Sequence, residues 1–203
     1  MLSFKAWLET TGSPPLVLCS IGAFNPIHRG HTKMFYNAKR YLSNQGQDVI
    51  AAYVVPKNQA YVEKKAAAKG EQAVPLEHRI KSIEAALQGT FIRMLLIDVE
   101  KGPLTDQQIK QIVQTRHPKA EVIMIVGDDY IKCPNGSPPP CIADSGWSRE
   151  YVNPREGDPK LGYGLSSTLV RNSLQKGQTD KAQEYLPPKV FNYITQNRLW
   201  GSS

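Results

Sequence analysis

The chain has 203 residues, 40% hydrophobic and 21% charged, the balance of a globular protein rather than a disordered one. No apolar run approaches the roughly 20 residues a membrane span needs, and MLSFKAWLETTG has neither the apolar core nor the cleavage site of a signal peptide, so a cytoplasmic protein is expected. The formal charge of +7, from 25 basic and 18 acidic residues, favours anionic partners; without a basic block or an aromatic–basic repeat, small nucleotides and phosphates fit better than polymeric nucleic acid or a membrane.

In chain order, 15–24 is a short apolar run bounded by proline and glycine and predicts a buried strand. Residues 32–42 place Met34, Phe35, Ala38, Tyr41 and Leu42 at helical spacing, with Gly46 as the stop. DVIAAYVVP, 48–56, is a second buried strand. Polar, lysine-rich 58–73 reads as loop. Residues 75–87 form a helix with proline in its first turn. A third strand is expected over 91–99, a helix over 104–115 and a fourth strand over 120–127. From 130 to 164 the pattern gives way to a long Pro/Gly-rich loop region. SSTLVRNSL, TDKAQEYL and PPKVFNYITQNRLW close the chain as helices, with Ser166 or Ser167 as an N-cap.

Strands alternating with helices imply right-handed βαβ units. The expected fold is α/β, a Rossmann-like doubly wound parallel sheet with C-terminal helices, as a single domain over 1–203. Ligands in such sheets bind beyond the carboxyl ends of the strands. The three cysteines, Cys19, Cys133 and Cys141, are odd and sparse; free thiols in a reducing cytosol are expected, with closure of the PNGSPPP loop by Cys133 and Cys141 as the alternative.

IGAFNPIHRGH, 21–31, lies at the carboxyl end of the first strand. Gly22 lets backbone and ligand approach closely; Pro26 and Gly30 shape a tight turn. His28 and His31 share a face at a helix start, where free N–H groups also point. Two imidazoles and a helix N-terminus suit triphosphate oxygens. The plainer reading is a junction with two solvent-facing histidines; zinc would need a third and fourth ligand. In SSTLVR, Ser167 and Thr168 offer hydroxyls and amides at a helix start. Arg171 follows one turn later and can bind phosphate bidentately.

Gly-x-Phe-x-Pro-x-His-x-Gly-His resembles the signature of the HxGH nucleotidyltransferase superfamily, and LSSTLVR resembles its second signature, Ile-Ser-Ser-Thr-x-x-Arg. Within it, the pyridine-nucleotide adenylyltransferases are most similar. VVPKNQAYVEKKAAAKGEQAVPLEHRIKSIEAAL, IMIVGDD, YVNPRE and YLPPKVFNYITQNRLW each resemble one of their conserved stretches. The resemblance implies AMP transfer from ATP to nicotinamide or nicotinate mononucleotide, with Mg²⁺ on the phosphates and pyrophosphate released. It implies that His28, His31 and Arg171 act on the triphosphate, aided by Ser167 and Thr168. Gly22, Phe24, Asn25 and Gly30 would shape the backbone around the substrates, and Asp129, beside Asp128, would meet a ribose hydroxyl or adenine. Lys57, Lys64, Lys65, Lys69, Arg79 and Arg155 are candidates for the acceptor.

The segment LLIDVEKGPLTD, where those enzymes carry a pyridine-stacking Trp, has no aromatic residue; Trp147 comes only later. Another acceptor (phosphopantetheine), or CTP with a phospho-alcohol, therefore stays open, as does a non-catalytic nucleotide-binding protein. Self-association into a homo-oligomer is also left open.

Overall fold

The computed structural model describes residues 13–71, 73–127, 132–146, 148–153, 157–158 and 163–201. Strands β1 (Leu16–Gly22), β2 (Val49–Pro56), β3 (Ile92–Met94), β4 (Glu121–Gly127), β5 (Cys141–Asp144) and β6 (Arg149–Asn153) form one six-stranded sheet in the order β3-β2-β1-β4-β6-β5. All neighbours are parallel except β5, which runs antiparallel to β6 at the edge. Helices α1 (Arg29–Ser43), α2 (Gln59–Ala67), α3 (Leu76–Leu87), α4 (Ile97–Glu100) and α5 (Asp106–Arg116) connect the first four strands. Helices α6 (Ser167–Gln175), α7 (Thr179–Tyr185) and α8 (Pro188–Gln196) close the chain. None of the described helices is long and apolar enough to cross a membrane. The α/β fold expected from the strand–helix alternation is the one found.

Alternation along β1 supplies both faces of the sheet. Leu16 and Leu18 pack into a core with Phe35 of α1, Ile83 of α3 and the apolar sides of α6 to α8. Val17 and Cys19 face the other way, against Ile97 of α4 and Ile109 and Val113 of α5. Burial pushes the Cys19 thiol up to about 12, with Asp106 adding to the effect, so this cysteine is protonated and inert.

Four local expectations are corrected. Residues 58–73 are not loop throughout: α2 forms there, capped by the Asn58 side chain, which accepts from the Tyr61 N–H. Its alanines, lysines and glutamate are good helix formers without an apolar stripe. The strand expected over 91–99 stops at Met94, because Asp98 is needed as a buried polar hub. Its carboxylate accepts from the Asn58 N–H and side-chain amide, both at 2.7 Å, and from the Leu104 N–H at 2.8 Å. Cys133 and Cys141, expected as free thiols, are joined by a disulfide. A 3-10 turn at Pro134–Gly136 folds the segment back ahead of β5. The β5–β6 hairpin itself lies inside the stretch expected to be a long loop.

Replacing Asp98 by Ala strands two backbone N–H groups and the Asn58 side-chain amide. Loss of about 3–5 kcal/mol is expected, read as a lower urea midpoint at unchanged slope; an unchanged midpoint would contradict the hub.

Candidate active site

Between β1 and α1 the chain makes one tight turn, and three of its carbonyls are taken by distant side chains. Arg79 of α3 donates to the Ala23 carbonyl at 3.0 Å, and Arg171 of α6 to the Asn25 carbonyl at 2.6 Å. The Ser167 hydroxyl donates to the Pro26 carbonyl at 2.9 Å, and the Trp200 indole N–H to the Asn25 side-chain oxygen at 3.2 Å. Phe24 sits in this turn with φ of 44°, and its ring lies over Gly22, where a Cβ would come within 3.1 Å of it. Gly30 likewise makes room for the His28 ring, 3.1 Å from its own would-be Cβ. Both glycines thus admit neighbouring side chains.

That packing sets the histidines. His28 is the N-cap of α1, and its backbone N–H donates to Nδ1 of His31 at 3.1 Å. Nδ1 is then the acceptor of the neutral ring, so Nε2 carries the proton and is the nitrogen able to donate. The two rings lie 3.7 Å apart, and Phe24 meets His31 edge-on at 5.0 Å. His28 is buried and His31 half-buried.

Both histidines line a cavity of about 410 Å³ at the carboxyl ends of β1 and β4, a size suited to a nucleotide-scale ligand. The start of α6 forms another wall. Ser166 caps it, accepting from the Leu169 N–H at 3.2 Å, so Ser167, Thr168 and Arg171 all reach the cavity. Gly22, Phe24, Asn25 and Gly30 line it too. The two sequence signatures, far apart in the chain, therefore meet in one cleft. Arg171 is buried and paired to the Glu71 carboxylate, and it also reaches the Thr168 hydroxyl at 3.1 Å. Glu71 puts an anion on the guanidinium that was expected to meet phosphate.

The acceptor candidates divide. Lys65 and Lys69 of α2 line the cavity, and Lys69 reaches the Thr168 hydroxyl at 3.4 Å. Lys64 is exposed outside it. Lys57 is buried off the cavity, donating to the Leu104 carbonyl at 2.9 Å and paired with Asp106 at 2.9 Å. Arg79 is fully buried, and burial brings its guanidinium down to about 10, still charged at neutral pH. It spans the Ala23 and Lys57 carbonyls and the Gln59 side chain, so it braces the turn. Neighbouring His78 bonds the Tyr193 hydroxyl at 2.8 Å. Asp128, Asp129, Trp147 and Arg155 lie outside the described residues. Glu71, Glu150, Asn37 and Asn153 also line the cavity; Glu71 and Asn153 lie in stretches that resemble the family, but no local pattern gives any of the four a role, and only the folded chain brings them there.

Residues 20–152 match the family described as cytidylyltransferase-like, which is more than half of the chain. The chain belongs to that family. It is a nucleotidyltransferase of the HxGH kind, near the pyridine-nucleotide adenylyltransferases. A Flavobacterium johnsoniae protein described as a probable nicotinate-nucleotide adenylyltransferase is 24% identical over 88% of this chain and 95% of its own. A zebrafish (Danio rerio) nicotinamide/nicotinic acid mononucleotide adenylyltransferase 2 is 32% identical over 76 residues, 37% of this chain and 23% of that protein. The Plasmodium falciparum nicotinic acid mononucleotide adenylyltransferase complexed with APC shares the fold, with a TM-score of 0.64, 11% identity, and coverage of 93% of this chain and 98% of that one.

If Glu71 occupies the place of phosphate on Arg171, Glu71→Gln should bind inorganic triphosphate about three- to tenfold more tightly, by roughly 1 kcal/mol. Titration calorimetry reads this; weaker binding would mean that Glu71 positions Arg171 for the ligand instead.

Proposed function

We propose that this nucleotidyltransferase moves AMP from ATP to the phosphate of a nicotinamide or nicotinate mononucleotide and releases pyrophosphate. The observation that carries the reading is the meeting of the histidine pair and the SSTLVR helix start in one nucleotide-sized cavity. The activities for which the similar Flavobacterium, zebrafish and Plasmodium proteins are named support the acceptor class.

In the proposed reaction an acceptor phosphate oxygen attacks the α-phosphorus in line. A new P–O bond forms as the bond from the α-phosphorus to the bridging oxygen breaks, and that electron pair leaves with pyrophosphate. Such transfer asks the protein for positioning and charge neutralisation. His31 donates from Nε2 to an oxygen on the α-phosphorus as charge builds there, with its tautomer held by the His28 N–H. Arg171, Ser167 and Thr168 take the β- and γ-phosphates at the start of α6. Lys65 and Lys69 neutralise the acceptor phosphate. Among the described residues no group of three or more His, Cys, Asp or Glu could hold a metal ion. Mg²⁺ therefore fits as part of the Mg-ATP substrate, held by phosphates and water.

A second reading, transfer to a different phosphate-bearing acceptor such as phosphopantetheine, draws on the cavity wall itself. Among the described residues its only rings are Phe24, His28 and His31, with no Trp or Tyr to stack a pyridine.

Pyrophosphate release from Mg-ATP tests both readings against nicotinamide mononucleotide, nicotinate mononucleotide and phosphopantetheine. Release with a pyridine nucleotide is expected; release with phosphopantetheine alone would overturn the acceptor. With the active acceptor, His31→Ala should lose about 10²–10³-fold in kcat with its unfolding midpoint retained, the scale of a lost transition-state donor. An unchanged rate would remove His31 from the mechanism.

A further inference from the structure

Among the cavity residues that the mechanism above leaves without a task is a buried acid. Glu150 is the second residue of β6, paired in register with Met124 of β4. It is 1% exposed, and neither carboxyl oxygen has a hydrogen-bond partner among the described residues. Yet Glu150 forms part of the cavity wall. A buried carboxyl with both oxygens unsatisfied is costly and calls for a partner. The Ser145 hydroxyl lies near it on the β5–β6 hairpin and favours its charged form, but its one proton also reaches the Ser148 carbonyl at 3.2 Å, so at least one carboxyl oxygen is left to a ligand.

Strand alternation fixes which end of the cavity this is. Tyr151 packs into the core that holds α1 and α6, with the Tyr41 ring 5.5 Å away. Glu150 and Val152 project to the opposite face of the sheet. On that face Asp106, the first residue of α5, also lines the cavity. Histidines, Arg171 and the α6 start belong to the first face. The cavity therefore has two unlike sides: the histidines, the α6 start and Arg171 with its Glu71 partner on one, and the carboxyls of Asp106 and Glu150 on the other. Asp106 is already paired with Lys57, so Glu150 is the carboxyl with hydrogen-bonding capacity to offer.

We propose that Glu150 selects the acceptor, accepting hydrogen bonds from an uncharged N–H donor on its head group, the amide of nicotinamide, and disfavouring the carboxylate of nicotinate. The inference rests on the acceptor's being a pyridine mononucleotide. An amide N–H₂ supplies the donors the two oxygens lack. A carboxylate would set like charge against Glu150, with Asp106 close by, where little water remains to screen it. Burial raises the Glu150 pKa; Asp144 and Asp106 raise it further, while Ser145 and Lys110 pull it down. As pH falls the carboxyl gains a proton and can donate to a carboxylate, so preference for the amide should shrink in acid.

The test compares wild type with Glu150→Gln, which keeps the shape and removes the charge. Steady-state kcat/KM is measured with nicotinamide and nicotinate mononucleotides at several pH values, with KM for ATP beside it and thermal unfolding as the folding control. Wild type should favour the amide by about tenfold or more at neutral pH, narrowing as pH is lowered. The variant should lose most of that ratio through KM for the mononucleotides, with KM for ATP within about twofold. An unchanged ratio would overturn the inference while leaving the acceptor class standing. A raised KM for ATP would also overturn it, by giving the carboxyl to the nucleoside of ATP. No turnover with either mononucleotide would overturn the acceptor reading, and this inference with it.

Discussion

The candidate site hangs on one turn, three of whose carbonyls are claimed by side chains from elsewhere in the fold. Ala23, Asn25 and Pro26 accept from Arg79, Arg171 and Ser167, and the Asn25 side chain accepts from Trp200. These donors come from α3, α6 and the end of the chain, so three separate segments agree on where the turn stands. Buried carbonyls must find such partners. Because His28, two residues after Pro26, caps the helix that begins at Arg29, its position follows from theirs, and the His28 N–H then fixes the tautomer of His31. Arg171 has a double role: one guanidinium nitrogen braces the turn while another faces Glu71 and Thr168 in the cavity.

The signatures at 22–31 and 165–171 were legible because each is local. Glycine, proline and a capping residue have conformational consequences readable without the rest of the chain. What was not legible depends on contacts across the fold. Lys57 and Arg79 look like ligand-binding cations in a string of letters, yet burial turns them inward onto carbonyls and acids. Glu71 and Glu150 carry no local signal, since their places come from the Glu71–Arg171 pair, which ties the segment after α2 to α6, and from the register of β6 on β4. Helix α2 was missed because its amino acids favour helix by propensity and a cap, whereas periodicity looks for an apolar stripe. The third strand was overrun because LLI is apolar, and nothing in the letters marks Asp98 as the hub beyond it.

A cavity whose two sides differ in this way imposes a direction on what it binds. In the proposed reading, triphosphate and acceptor phosphate lie together near His31, and a head group near β6. This division is unlike a purely basic cleft, which would take any polyanion. It also separates what the family relationship gives, nucleotidyl transfer on a common fold, from what this chain's own wall adds.

The central claim is that the α-phosphorus of ATP moves to a pyridine mononucleotide in this cavity. The direct measurement is incubation with Mg-ATP labelled at the α-phosphorus and unlabelled mononucleotide, followed by chromatographic separation. The account predicts label in a dinucleotide and none in the released pyrophosphate. Label recovered only in ATP, or in AMP released as hydrolysis product, would contradict it.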